Sequence, residues 1–570
     1  MRGMPRYSRR TFFLATGVAA AGASILPATL TPAMAADRLA SPAGTTLEKA
    51  AVPIGTTGYR QLGAGPGYPV RVRSEALPTP PAAEGTDRRT TLASFVQLTD
   101  LHVVDAQSPM RFEYLHDLTG SAFRPQEALG TQGAVSLIEK VNSLGKGPQT
   151  GRPLDCVVTT GDSTDNHEGL ELDWFLTIMN GGSLTPNSGA PDRWEGVQSS
   201  SNPLYWLPED PAGDRYKDAG FPVVSDFFAR AMAEHGSPGL KFPWFSVFGN
   251  HDDSICGTLP SDWAAFRDMF TGSIKFTGFR DATANRQLER QITTDTTQSH
   301  DAPAVTADKT PKQDFHVTPD PRRRPFTPAE FMQAHLDRPS PTGPLGNGFT
   351  PDHVAQQIGY YAFDIADGVV GIALDSTNRA GFTGGSIGEA QYRWLEQTLR
   401  EGSSHWYDGV GARKTQQAED TYFIVFSHHT PASMNNLLLE PGNPELRHAG
   451  WDVENLLGRF PNVLAWVNGH THRHEITLKQ DRVPERSYWE INTASHVHYP
   501  QHARVIEVVD NGNGTLSLLT TVLESEAPYS GDSAATLYRE YSFNDIHADD
   551  SLMGRDQDHN TELLLVSPRQ

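Results

Sequence analysis

The stretch Leu92-Ala93-Ser94-Phe95-Val96-Gln97-Leu98-Thr99-Asp100-Leu101-His102 decides the fold. Its first seven residues read as a buried strand, and the polar Asp-x-His that follows marks where the strand gives way to a loop. Working outward, Ala134-Val135-Ser136-Leu137-Ile138-Glu139-Lys140-Val141 has the periodicity of an amphipathic helix. Cys156-Val157-Val158 is a second apolar run. Strand, helix and strand at this spacing predict a parallel βαβ unit, hence an α/β fold. The second strand also ends in a polar block, Gly161-Asp162-Ser163-Thr164-Asp165-Asn166. Catalytic residues of open α/β sheets gather at the carboxyl ends of strands.

Three further blocks repeat the pattern. Gly249-Asn250-His251-Asp252 follows the run Phe242 to Phe248, Ser427-His428-His429 follows Phe423-Ile424-Val425-Phe426, and Gly469-His470-Thr471-His472 follows another apolar run. Any one of them is an ordinary turn or a stray histidine. All five in order, each after a strand, predict converging Asp, Asn and His side chains, a donor set suited to a metal. Two divalent ions need roughly four protein ligands each, and a shared carboxylate holds such a pair about 3.5–4 Å apart. Asp162 is the natural bridge, because Gly161 before it lets the backbone turn tightly. Asp100 and His102 are expected on one face as positions i and i+2 of an extended segment, and His470 and His472 repeat that geometry. Gly469 would permit close backbone approach, Asn250 would offer a neutral oxygen and His428 a ring nitrogen.

Bulk properties narrow the class. The 570 residues carry a formal charge of -21, which argues against binding a phosphate backbone as the main role, and no nucleic-acid-binding module is evident. Two cysteines cannot build a disulfide framework. Cys156 reads as a buried inert thiol within its strand; Cys256 follows the third block, and a bond between the two stays open. Ser8-Arg9-Arg10-Thr11-Phe12-Phe13-Leu14 is a twin-arginine pattern, followed by a weakly apolar stretch and the small-residue cleavage site Ala33-Met34-Ala35. Residues 1–35 therefore read as a signal peptide, with the twin-arginine translocase as partner during export. The expected location is extracellular, periplasmic or in the cell envelope. A membrane anchor is disfavoured because Gly, Thr and Pro interrupt the stretch, and no other segment is apolar enough to span a bilayer.

Residues 36–90 read as an N-terminal extension, rich in Gly, Pro and Thr, and 526–570 as an acidic, weakly patterned tail. Long interruptions separate the motifs, with inserts at about 165–240 and 258–350. Within the second, Thr327-Pro328-Ala329-Glu330 predicts a capped helix. Hairpins are expected at Gly359 to Leu374 and Arg504 to Leu523, and a helix around Gln391 to Leu395.

The five blocks resemble the calcineurin-like metallophosphoesterase superfamily, whose pattern is Asp-x-His, Gly-Asp-x-x-Asp/Asn, Gly-Asn-His-Asp/Glu, a lone His and Gly-His-x-His. The resemblance covers about residues 91–525, and more narrowly it is to a bacterial, twin-arginine-exported branch with long inserts between motifs. It implies a two-sheet β-sandwich flanked by helices, with loop-rich insertions and a binuclear centre at the strand ends. One ion would be held by Asp100, His102, Asp162 and His472, the other by Asp162, Asn250, His428 and His470. His251 would contact the phosphate and protonate the leaving group, with Asp252 orienting it. His428 is preferred over His429 by strand register, although His429 with Pro431 meets the usual His-x-Pro spacing. Purple acid phosphatases place a tyrosine three residues after the bridging aspartate; here that position is Asp165, which argues against a tyrosinate-bound ferric ion.

The implied activity is hydrolysis of phosphate esters, diesters ahead of monoesters, by hydroxide formed on the metals. Manganese, iron and zinc are the leading candidates for two divalent or trivalent ions. A phosphomonoesterase on the same site and a non-catalytic cell-surface binding protein are the alternatives. His496, His498 and His502 either line the pocket or sit in a solvated loop. Asp165 is a candidate to support the ligands from behind. Arg322, Arg323 and Arg324 are either a phosphate clamp or, on the stronger reading, a surface charge run. No motif speaks to oligomeric state.

Overall fold

The computed structural model describes residues 41–79, 88–261, 264–293 and 310–569. The twin-arginine segment lies outside the described residues. Two sheets carry the architecture. The first has seven strands in the order Arg71–Arg73, Thr561–Val566, Thr515–Leu523, Ala503–Asp510, Thr90–Leu98, Cys156–Thr160 and Trp244–Val247. The second has six, in the order Glu475–Lys479, Tyr488–Asn492, Val463–Asn468, Tyr422–Phe426, Val369–Ala373 and Tyr361–Ala366. The expected βαβ unit is present: Thr90–Leu98 pairs in parallel with Cys156–Thr160 across the helix Gly130–Leu144. Both expected hairpins are antiparallel pairs.

The sheets face one another through a single apolar core. Phe95 meets Phe426 edge-on at 5.6 Å, and Phe245 stacks on Phe363 at 3.8 Å. Helices Glu389–Glu401 and Gly450–Leu457 cover the second sheet, burying Leu395, Leu399, Val453 and Leu456 against Phe423, Val425 and Trp466. The chain is thus a two-sheet sandwich flanked by helices. Sandwiching leaves five strands, Thr90–Leu98, Cys156–Thr160, Trp244–Val247, Tyr422–Phe426 and Val463–Asn468, ending in the loops that carry the five polar blocks.

The segments outside the motifs are built in more firmly than their composition suggests. The tail supplies the helix Ala534–Phe543 and the strand Thr561–Val566, and the N-terminal strand Arg71–Arg73 adds in parallel beside the latter. The sheet therefore extends beyond the range 91–525 at both ends. Trp206, Phe221 and Phe227 of the first insert pack with Tyr538 and Tyr541 of the tail helix. Phe266, Phe270, Phe276 and Phe279 of the second insert pack on Met110, Phe112 and Leu115, which follow the first polar block. The helix Pro328–Asp337 carries the expected capping box, with the hydroxyl of Thr327 accepting from the Glu330 amide at 3.2 Å. Cys156 is buried, and no disulfide joins it to Cys256. Among the described residues no helix is long and apolar enough to cross a membrane.

Candidate metal centre

The five loops are zipped together by main-chain hydrogen bonds that continue the sheets past their ends. The amides of Asp100, His102 and Val103 donate to the carbonyls of Gly161, Asp162 and Ser163. Gly469 donates to the His428 carbonyl, and His496 and Val497 donate to those of Thr99 and Asp100. Two glycines make this approach feasible. A Cβ on Gly249 would lie 2.1 Å from Asp162 Oδ1, and one on Gly469 would lie 2.0 Å from Thr99 Oγ1. The expectation for Gly469 holds on this geometry.

The expected extended geometry of the Asp-x-His and His-x-His pairs does not hold. Asp100, His102, Asp162, His470 and His472 all have positive φ, between 45° and 69°. Left-handed backbone is disfavoured for residues with a Cβ, although Asp, Asn and His tolerate it best. Each such residue costs on the order of 1 kcal/mol, which the zipped loops must offset. Paired side chains still reach one site, but through kinks at the ligand positions rather than through a pleat.

Asp162 sits at the centre. Its Oδ2 lies 3.4 Å from His102 Nε2 and 3.2 Å from His428 Nε2, while its Oδ1 accepts from the His251 amide at 2.9 Å. On one side Asp100, His102, Asp162 and His472 bring one donor atom each within 4.8 Å of one another. His472 Nε2 faces Asp100 Oδ1 at 3.3 Å. On the other side His428 Nε2 lies 2.9 Å from Asn250 Oδ1, and His470 Nδ1 lies 3.2 Å from both. The Asn250 amide nitrogen donates to the Gly257 carbonyl at 2.9 Å, which turns its oxygen inward. His428 Nδ1 faces the Thr160 carbonyl at 2.9 Å, which leaves Nε2 for the site.

These donors fit metal ions. His102 is the clearest case: its Nδ1 is held by Asp165 Oδ1 at 3.0 Å, and its buried Nε2 has no hydrogen-bond partner among the described residues. A ligand histidine needs that arrangement, one nitrogen anchored and the other bare. Without ions the cluster balances charge internally. Burial opposes charge on His428, yet Asp162 and Asp100 hold its pKa up at about 9. Burial likewise opposes charge on Asp162, and the surrounding histidines hold it well below the usual carboxylate range.

His429 is placed elsewhere. Its Nδ1 meets the Ser376 hydroxyl and its Nε2 the Thr383 carbonyl, each at 2.9 Å. Although His429 lies within 4.8 Å of His428 and His470, both its ring nitrogens are engaged away from Asp162. His102, Asp165 and His251 also group within 4.8 Å. A cation there is disfavoured, since Asp165 already pairs with the Arg111 guanidinium and, at 3.1 Å, with Arg124.

Asp252 requires a correction. It does not touch the His251 ring; its carboxylate accepts from the amides of Gly249, Ser163 and Thr164 at 2.9–3.1 Å and clamps the second loop to the third. His251 is oriented instead by the Asp165 main-chain carbonyl, 2.5 Å from Nδ1. The reason is local: Asn250 to Asp252 form one turn of 3-10 helix, which turns successive side chains in different directions.

Two arginines invisible to motif reading stand behind the site. Arg111 and Arg124 are buried and share Asp165, and Arg124 Nε donates to His498 Nε2 at 2.8 Å. His498 in turn contacts His472 Nδ1 at 2.6 Å, so it supports a site residue. His502 is buried against His474, and His496 lies against the Tyr538 ring. Arg322 and Arg324 pair with their near neighbours Asp320 and Glu330, whereas Arg323 pairs with Asp105 and ties two distant loops together. Arg323 is fully buried, so the triplet is not simply a surface run.

A cavity of about 310 Å³ opens over the cluster, lined by His102, Asp162, Asn250 and His251 with Phe112, Arg124 and others. No family model and no curated protein matches the chain. Among solved structures it is similar to a dimetal phosphatase from Danio rerio, at 10% identity over 77% of this chain and 98% of that one, with a TM-score of 0.33.

Proposed function

We propose that this chain is a binuclear metal-dependent phosphoesterase of the calcineurin-like type, exported through the twin-arginine route. One observation carries the catalytic reading: a single carboxylate oxygen, Asp162 Oδ2, stands between two histidine nitrogens at 3.4 and 3.2 Å, with donors completing a set on each side. Asp100, His102, Asp162 and His472 would hold one ion, and Asp162, Asn250, His428 and His470 the other. Bound there, two ions would supply Lewis acidity and a water-derived nucleophile at neutral pH. Export rests on Ser8 to Leu14 and Ala33 to Ala35. The preference for diesters rests on the likeness of the donor set to phosphodiesterase branches.

The chain's own residues supply the remainder. With Nδ1 held by the Asp165 carbonyl, His251 has Nε2 as the atom that can hand a proton to a departing oxygen. Asp252 keeps the second and third loops in register, and Asp165 keeps His102 turned toward Asp162. Arg124 lines the same cavity from its buried position beside Asp165.

Purified protein loaded with manganese, iron or zinc should hydrolyse bis(p-nitrophenyl) phosphate. Asp162→Asn, which removes the shared charge, should abolish turnover and lower metal content. Absence of turnover on diesters and monoesters with all three metals would favour the binding-protein alternative.

A further inference from the structure

A second cavity, of about 380 Å³, adjoins the first at the His470-Thr471-His472 turn, and four residues, Thr119, Ser121, His470 and His472, line both. Its outer wall is the tail segment from Ser542 to Leu552, far in sequence from any of the five blocks. Building on the phosphoesterase reading, we propose that it is the subsite for the second arm of a phosphodiester, and that this arm is a donor-rich alcohol, a polyol or an amino alcohol.

Placement comes first. A phosphate seated at the residues common to both cavities has one cavity on either side. A monoester, with a single arm, leaves one cavity unused; a diester fills both. Each cavity falls within the usual size range of small-molecule sites.

Chemistry separates the two arms. Phe112, Leu115 and Ala122 give the first cavity an apolar wall, with Arg124 beside them. Ser542, Asp545, Asp549 and Asp550 line the second alone, beside Tyr499, Phe543 and Leu552, and among the described residues no lysine or arginine lines it. Hydroxyls and carboxylates accept hydrogen bonds, so hydroxyl or ammonium groups on the arm find partners there. An acyl chain would strip water from those groups without replacing its hydrogen bonds, and a second phosphate would face like charge.

Direction follows from His251, which lines the first cavity and is absent from the lining of the second. Hydrolysis forms one bond from a water oxygen to phosphorus and breaks one P–O ester bond. The departing alkoxide takes a proton, and the only imidazole assigned to supply it faces the first cavity. The arm in the first cavity therefore leaves, and the donor-rich alcohol stays on phosphorus as the monoester product.

The test uses manganese-loaded, full-length protein and three p-nitrophenyl diesters whose second arm is methyl, glyceryl or octyl. The glyceryl diester should exceed the methyl diester in kcat/KM by about tenfold, the worth of roughly one net hydrogen bond to the arm, and the octyl diester should not. Ala548→Trp, at an exposed position on the wall, should erase most of the glyceryl advantage, whereas Ala548→Ser should keep it. Wild-type protein that turns over no diester would sink the phosphoesterase reading and this one with it. Active wild type that favours octyl or shows no preference would overturn the subsite alone. So would a tryptophan variant that loses the same factor on all three diesters.

Discussion

Replacing Asp165 separates two tasks that one carboxylate performs. Its Oδ1 accepts from His102 Nδ1 at 3.0 Å and from Arg124 Nη1 at 3.1 Å, and its Oδ2 meets Arg111 Nη1. The residue is only 4% exposed, so water screens none of these contacts well. Asp165→Asn keeps an oxygen for His102 but removes the charge that makes the imidazole a better ligand. Asp165→Leu removes both. Loss of such a partner behind a ligand histidine costs roughly 10- to 100-fold in metal affinity, or about 1.4–2.7 kcal/mol. Asparagine should fall at the lower end and leucine at the upper. The ion held by His102 should suffer most, because Asp165 makes no contact with Asn250, His428 or His470. The second task is structural. Stripping one partner from a buried ion pair costs about 3–5 kcal/mol. Arg111 retains Glu127 at 2.8 Å, so the uncompensated charge in the leucine variant is chiefly that of Arg124. Calorimetric titration of metal-free protein would resolve the two ions, and urea unfolding of the metal-free form would report stability separately. Equal weakening of both ions, or leucine no worse than asparagine for metal, would refute the assigned role.

Three further outcomes are expected. His428→Ala should weaken the ion bound by Asn250, whereas His429→Ala should retain both ions and mainly alter kinetics; the reverse stoichiometry would exchange their roles. His251→Ala should leave both ions bound and slow turnover about 100- to 10,000-fold, with a smaller loss on p-nitrophenol esters, whose leaving group departs without a proton. Loss of metal in that variant would place His251 among the ligands. In metal-free protein the folded pKa of His428, about 9, lies above its unfolded value of about 6.5. The stability from its pairing with Asp162 is thus fully present below about pH 6.5 and is lost as pH rises through 9. Because His428 must release a proton to bind metal, affinity should rise about tenfold per pH unit across that window. Affinity independent of pH would show that His428 is not a ligand.

The five motifs lie side by side because each ends a strand whose apolar run is legible. Such a run can be buried only within a sheet, and a sheet puts its strand ends side by side. Asp100, Asp162, Asn250, His428 and His470 were readable for that reason. Asp252 was misread because adjacency in sequence suggested a partner that a turn of 3-10 helix places elsewhere. Asp100 and His102 share the site through left-handed backbone, which Asp and His only tolerate and no periodicity announces.

Residues drawn in from distant segments had no local mark at all. Arg111 and Arg124 look like ordinary surface cations until burial pairs them with Asp165, and His498 meets His472 only because the loop after Tyr488–Asn492 folds back over the site. The tail is acidic and unpatterned, yet its strand pairs with Thr515–Leu523 and its helix packs on Gly130–Leu144. Periodicity records what a segment buries against its immediate surroundings. Which remote surface receives it depends on how two sheets and two inserts close around a common core. The strand-end residues were therefore legible in the sequence, whereas the walls of the cavities above them were decided by the tertiary structure.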